Sequence, residues 1–148
     1  ADPAARGVFF GLTLRHGKGH LARAVLEGVA YGLRDGLELT RGLGIDARQI
    51  HLSGGGAASP LWRQILADVF DRPLALPAIN QGAAYGAALL AGVGAGAFRD
   101  AADAAERCVR ISQVVSPGAN VAEYQRGYER FAALYPALAP HFARIETT

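Results

Sequence analysis

Three consecutive glycines, Gly54-Gly55-Gly56, follow the short apolar run Ile50-His51-Leu52-Ser53 and precede Ser59-Pro60 and a helical pattern. Glycine allows a positive φ and lets a ligand come within contact distance of bare backbone. Ser59 suits an N-cap, and Pro60 suits the first helical position, where its missing N–H costs nothing. A helix that starts there presents free N–H groups and the positive end of its dipole, which favours an anion such as a phosphate. The chemistry is therefore that of a phosphate or nucleotide cradle, Gly54, Gly55, Gly56 and Ser59 being the candidates. On these residues alone a plain strand-to-helix connection fits equally well. A second small-residue stretch, Asn80-Gln81-Gly82 leading into Gly82-Ala83-Ala84-Tyr85-Gly86-Ala87-Ala88, lets backbone approach either backbone or a flat ligand.

Other chemistries are excluded. Lys18 is the lysine of Gly17-Lys18-Gly19, but no Ser or Thr follows it and Leu12 stands where a P-loop needs its first glycine. A dinucleotide fingerprint would need glycine where Ser59 stands. His16, His20, His51 and His141 are scattered and lack a zinc-binding spacing. Cys108 is the single cysteine, which rules out an internal disulfide or a cysteine-built metal site. No nucleophile elbow is present. Neither a catalytic residue nor a metal ligand is assigned to this chain.

The elements that must position the glycine turn follow from periodicity. Residues 7–14 read as a strand, rich in β-branched and aromatic types. His20 to about Arg41 reads as a long helix with Leu21, Val25, Val29, Leu33 and Leu37 on its apolar face. Gly28, Gly32 and Gly36 on one ridge predict a closely packed neighbour, since each mid-helix glycine costs about 1 kcal/mol against alanine. Ile50 and Leu52 form a strand, and Pro60 to about Phe70 a helix burying Leu61, Ile65, Leu66 and Val69. Leu74 to Leu76 is a strand, 77–81 a loop, and Gly82 to about Val93 a helix. Asp100 to Arg107 is a short helix, and 109–115 is extended. Val121 to about Ala143 is a last helix, broken near Pro136, whose aromatic stripe packs in the core or between domains. This is an α/β order.

With 148 residues, half of them hydrophobic, the chain can bury a real core; its net charge is only +2. No basic or aromatic-basic run suggests nucleic acid, and no apolar run reaches the ~20 residues that span a bilayer. The single cysteine agrees with a cytoplasmic home. The absence of methionine is read as the mark of a piece of a longer product.

Two ordered motifs resemble those of the FGGY carbohydrate kinases. The first is Gly7-Val8-Phe9-Phe10-Gly11-Leu12, a fixed spacer, then His20-Leu21-Ala22-Arg23-Ala24-Val25-Leu26-Glu27; every constrained position matches. The second is Ser53-Gly54-Gly55-Gly56 through Ser59, Trp62, Gln64, Ala67, Asp68 and Pro73. The resemblance covers nearly the whole chain. It implies a partial actin-like ATPase (ribonuclease H-like) α/β domain with additional C-terminal helices, residues 1–148 being most of the C-terminal, nucleotide-binding domain. The N-terminal domain, with the sugar site and the catalytic aspartate, would be absent, as would the opening strands of this one. Gly55 and Ser59 match the family's nucleotide contacts, with Gly54 and Gly56 beside them, while Asn80, Gln81 and Gly82 enter at the adenine side. Trp62 and Gln64 read as structural support; Glu27, Asp68 and Asp71 read as surface or capping charges. The implied reaction is transfer of the γ-phosphate of ATP, with its Mg2+, to a pentulose, D-xylulose first and ribulose, glycerol or gluconate as sister substrates. A non-catalytic actin-like interaction domain is the alternative. The partners implied are ATP/ADP, the sugar through the other domain, and a second copy of the chain in a homodimer.

Overall fold

The computed structural model describes residues 2–47, 49–80 and 82–142. Its elements are α1 (Lys18–Gly42), β1 (Ile50–His51), a 3-10 turn (Gly55–Ala58), α2 (Pro60–Phe70), β2 (Leu74–Pro77), α3 (Gly82–Gly94), α4 (Ala101–Cys108), β3 (Ile111–Val115) and α5 (Val121–Phe142). The three strands form one mixed sheet with β2 in the middle. β1 runs parallel to β2, with Ile50 opposite Leu74 and His51 opposite Ala75, and the Leu52 amide extends the ladder to the Ala75 carbonyl at 2.9 Å. β3 runs antiparallel on the other side, pairing Leu74 with Val115.

α2 is the keel of this arrangement. Ser59 caps it by accepting a hydrogen bond from the Trp62 amide at 3.3 Å, and Asp71 ends it in the left-handed conformation at φ 49°. Ile65, Leu66 and Val69 are essentially buried, together with Leu74 of β2, Ala30 and Tyr31 of α1, and Tyr124 of α5. Burying each such aliphatic side chain contributes about 1.5–3 kcal/mol. Leu61, expected on the buried face, is instead half exposed: it lies in the first turn, at the edge of an open hollow that it lines with His20, Arg23 and Leu26 of α1. Asp68, expected at the surface, is 2% exposed, and its Oδ1 accepts from the Gly118 amide at 2.6 Å and from Gln64 Nε2 at 2.8 Å. It ties α2 to the loop before α5.

α1 turns a different face inward from the one its leucine and valine spacing predicts. Ala30 and Tyr31 are buried and Leu26 packs beside them, whereas Val25, Val29 and Leu33 are about half exposed. The inward face tolerates charge because each charged group there finds a partner. Arg34 Nη1 donates to the Val69 carbonyl at 3.0 Å and Nη2 to Gln125 Oε1 at 2.6 Å. Glu27 accepts from Arg23 at 2.7 Å and from the Tyr124 hydroxyl at 3.1 Å, so it is no plain surface charge. Tyr31 stacks among Tyr124, Tyr128 and Phe131, which places the aromatic stripe of α5 in the core as its spacing predicts. Burial pushes the Tyr31 hydroxyl up to about 12. Tyr128 is likewise pushed up to about 12, by burial and by its hydrogen bond to Asp35.

Three expectations are corrected. Residues 7–14 form no strand: Val8, Phe9, Phe10, Leu12 and Leu14 are all largely exposed, and among the described residues no neighbouring strand pairs with them. A strand needs a ladder partner as well as propensity. Gly28, Gly32 and Gly36 face no neighbour either, since a methyl built on any of them meets no atom within 4 Å among the described residues. α5 runs through Pro136 and Pro140 to Phe142 without the expected break; Ala143 lies outside the described residues.

Candidate nucleotide-binding turn

The turn leaves the end of β1, at the carboxyl edge of the parallel pair, and each of its glycines is present for a different reason. Gly54 has φ 90° and ψ −177°, a conformation reserved almost wholly for glycine. Gly56 lies under Trp62: a methyl there would sit 3.2 Å from both Cδ1 and Nε1 of the indole. Gly55 needs neither freedom. Its φ is not positive, and a methyl built on it meets nothing within 4 Å. Open space over bare backbone is what a ligand-facing position looks like. Gly55 and Gly56 open the 3-10 turn, whose first internal bond runs from the Ala57 amide to the Gly54 carbonyl at 3.1 Å. Their own amides therefore precede the hydrogen-bonded turn and remain donors for a guest.

Sequence-distant residues hold the turn. Asn80 Oδ1 accepts from the Gly54 amide at 2.8 Å, and Asn80 Nδ2 donates to the Gly54 carbonyl at 2.9 Å. The Asn80 carbonyl accepts from the same amide at 3.2 Å. Gly82 opens α3 directly against the strand end, where a methyl on it would lie 2.6 Å from Ser53 Oγ. Arg63 reaches back from α2: its guanidinium donates to the carbonyls of Ala57 and Ala58 and, at 3.0 Å, to Gln113 Oε1. The structure thus brings Gly54, Gly55, Gly56, Ser59, Asn80 and Gly82 to one end of β1 and α2. Gln81 lies outside the described residues.

Roles shift within this set. The Ser59 hydroxyl is engaged in capping α2, and the Asn80 amide is engaged by Gly54. Trp62 walls the turn, and Gln64 braces Asp68 and the Ser116 carbonyl, as their reading as supports expected. Sequence reasoning missed Arg63. Its signal, an arginine in the first turn of a capped helix, acquires meaning only from the carbonyls that the fold brings within reach.

The turn is open surface. A large groove of about 820 Å³ lies elsewhere, between residues 7–12, α1 and α5, with Phe9, His20, Arg23 and Phe131 along it. Among the described residues no three His, Cys, Asp or Glu side chains gather to hold a metal, and no helix is long and apolar enough to cross a membrane.

The family model for the C-terminal domain of FGGY family carbohydrate kinases matches residues 1–95. A xylulose kinase of Escherichia coli strain K12 is 40% identical over 143 residues, covering 96% of this chain and 30% of that protein. The crystal structure of xylulose kinase from Rhodospirillum rubrum superposes with a TM-score of 0.81 at 40% identity, over 96% of this chain and 29% of that one. Gluconate kinase from Lactobacillus acidophilus superposes with a TM-score of 0.85 at 28% identity, over 98% of this chain and 30% of that one. The chain spans about a third or less of the length of these relatives. The α/β arrangement is accordingly part of an actin-like ATPase fold.

Proposed function

Since this chain belongs to the FGGY family of carbohydrate kinases and matches its C-terminal domain, we propose that it is the nucleotide-holding part of an ATP-dependent kinase for a pentulose, D-xylulose being the acceptor. The observation that carries the reading is Gly55: bare backbone, open space above it, and two donor amides set at the start of a 3-10 turn. Phosphoryl transfer asks a protein for positioning and charge stabilisation more than for covalent chemistry. Amides fixed before the substrate arrives meet phosphate oxygens at little reorganisation cost. The turn offers N–H donors, so it suits phosphate and not a cation; Mg2+ enters this reading as the ion carried on the ATP phosphates.

In the same reading the sugar and the general base belong to a second domain that closes over the nucleotide and excludes water. The similarity to xylulose kinases favours D-xylulose, and the likeness to a gluconate kinase keeps that acid as the next acceptor to try. ATP and ADP are the direct partners, the setting is cytoplasmic, and nucleic acid and membrane have no part in it. The exposed ridge of α1 adds self-association to the reading.

Trp62 against Gly56 supplies the assay. Titration with MgADP should change the tryptophan emission saturably, and Gly55→Val should weaken binding at least tenfold while leaving the unfolding midpoint unmoved, because the added side chain meets open space. Equal affinity in the folded variant would refute the assignment of the turn.

A further inference from the structure

The geometry assigns to Asn80 a positioning role, which deepens the nucleotide reading and rests on it: its side-chain amide is the clasp that holds the glycine turn in its receptive shape, and it acts through Gly54 without touching the nucleotide itself. Among the described contacts, Asn80 meets the same residue with both ends of its amide, Oδ1 on the Gly54 N–H at 2.8 Å and Nδ2 on the Gly54 carbonyl at 2.9 Å. The complementary fit of donor to acceptor and acceptor to donor fixes which way the amide points. The residue so held is the one with φ 90° and ψ −177°.

Glycine visits that region at no steric cost, but it also visits every other region freely, so glycine alone cannot keep the turn there. Three glycines in a row lose more backbone entropy on ordering than any other tripeptide. A clasp that orders Gly54 beforehand removes part of that cost from the binding step, which is what preorganisation means. It also aims the next two amides, since the directions of Gly55 N–H and Gly56 N–H follow from the torsions of Gly54.

The choice of asparagine follows. Aspartate in the same place would keep an acceptor for the Gly54 amide but would put a charged oxygen against the Gly54 carbonyl. Alanine would leave only the Asn80 backbone carbonyl, at 3.2 Å. Because Asn80 is exposed, its loss should cost the fold little: exposed substitutions stay within about 0.5 kcal/mol.

The test uses this chain labelled with 15N, MgADP as the probe, and three readouts: ADP affinity, exchange of the Gly54 amide proton, and the unfolding midpoint. In Asn80→Ala the Gly54 amide should exchange roughly tenfold faster, the worth of one hydrogen bond. ADP affinity should fall between tenfold and a hundredfold, and the midpoint should stay within about 2 °C. In Asn80→Asp the Gly54 amide should keep its protection, since the acceptor remains. Unchanged Gly54 exchange in Asn80→Ala would overturn the clasp. Faster exchange with unchanged ADP affinity would overturn its positioning role. If the unaltered chain binds no MgADP while Gly54 is protected, the nucleotide reading itself fails, and the role argued for Asn80 falls with it.

Discussion

Asp68→Ala puts a number on the tie between α2 and the loop that launches α5. The carboxylate is 2% exposed, and its Oδ1 takes the Gly118 amide at 2.6 Å and Gln64 Nε2 at 2.8 Å. Hydrogen bonds to a charged group contribute about 1.5–3 kcal/mol each. Against that sum stands the desolvation of the carboxylate, which the alanine variant no longer suffers. Gly118 is itself exposed, so water can take up its amide in the variant and no further penalty is added. The balance is a destabilisation of about 3 kcal/mol. For a domain of this size 1 kcal/mol moves the midpoint by about 2–4 °C, so a drop of about 6–12 °C should follow. Asp68→Asn keeps an acceptor for Gly118 and lets the Gln64 amide turn over, so it should cost about 1 kcal/mol. Urea unfolding followed by circular dichroism and by Trp62 emission measures both, and coincident curves would license the two-state treatment. An alanine variant within 1 kcal/mol of the parent, or an asparagine variant worse than alanine, would refute the argument.

Gly82→Ala should cost about 1–3 kcal/mol by overpacking against Ser53 Oγ, and Ser53→Ala should restore most of the loss when combined with it; simple additivity in calorimetry would count against that contact. Tyr31 and Tyr128 are held at about 12, above the usual ~10. The unfolded chain releases those protons first, so stability should be full below about pH 10 and fall as pH rises towards 12. A urea midpoint that stays flat across that window would contradict it. Because Val25, Val29 and Leu33 lie exposed beside Gly28 and Gly32, the isolated chain should self-associate. Light scattering that shows a strict monomer at high concentration would contradict this.

What the sequence disclosed was what local chemistry decides. The helix from Pro60 to Phe70 was legible to the residue, because Ser59, Pro60 and the Asp71-Arg72-Pro73 break are signals carried within one turn. The glycine turn was legible as a strand-to-helix turn of bare backbone, and the structure leaves open space over Gly55. Less legible was anything that depends on who lies opposite. Residues 7–14 have strand propensity but no ladder partner among the described residues, and the inward face of α1 carries Arg23, Glu27 and Arg34 beside Ala30 and Tyr31, so apolar periodicity could not find it. Asp68 looked like a surface charge because one of its partners, Gly118, lies fifty positions away in the chain, and the other, Gln64 on the same helix, is turned inward by its bond to Ser116. Asn80 and Gly82 were picked out as ligand neighbours; the structure adds hydrogen bonds from Asn80 to Gly54 and a close approach of Gly82 to Ser53, neither of which the sequence announced.

The central place of β2 bears on the order in which the chain assembles. Pairing Ile50 with Leu74 closes a shorter loop than pairing Leu74 with Val115, and the entropy lost on closure grows with loop length. That shorter loop contains the whole glycine turn and α2, whose capped start favours helix formation before any long-range contact. The glycine turn thus belongs to the part of the molecule that can form first, with β3 and α5 closing on a finished β1–α2–β2 unit. In pulse-labelled refolding the Leu52 amide would gain protection ahead of the β3 amides, and simultaneous protection would reverse that order of events.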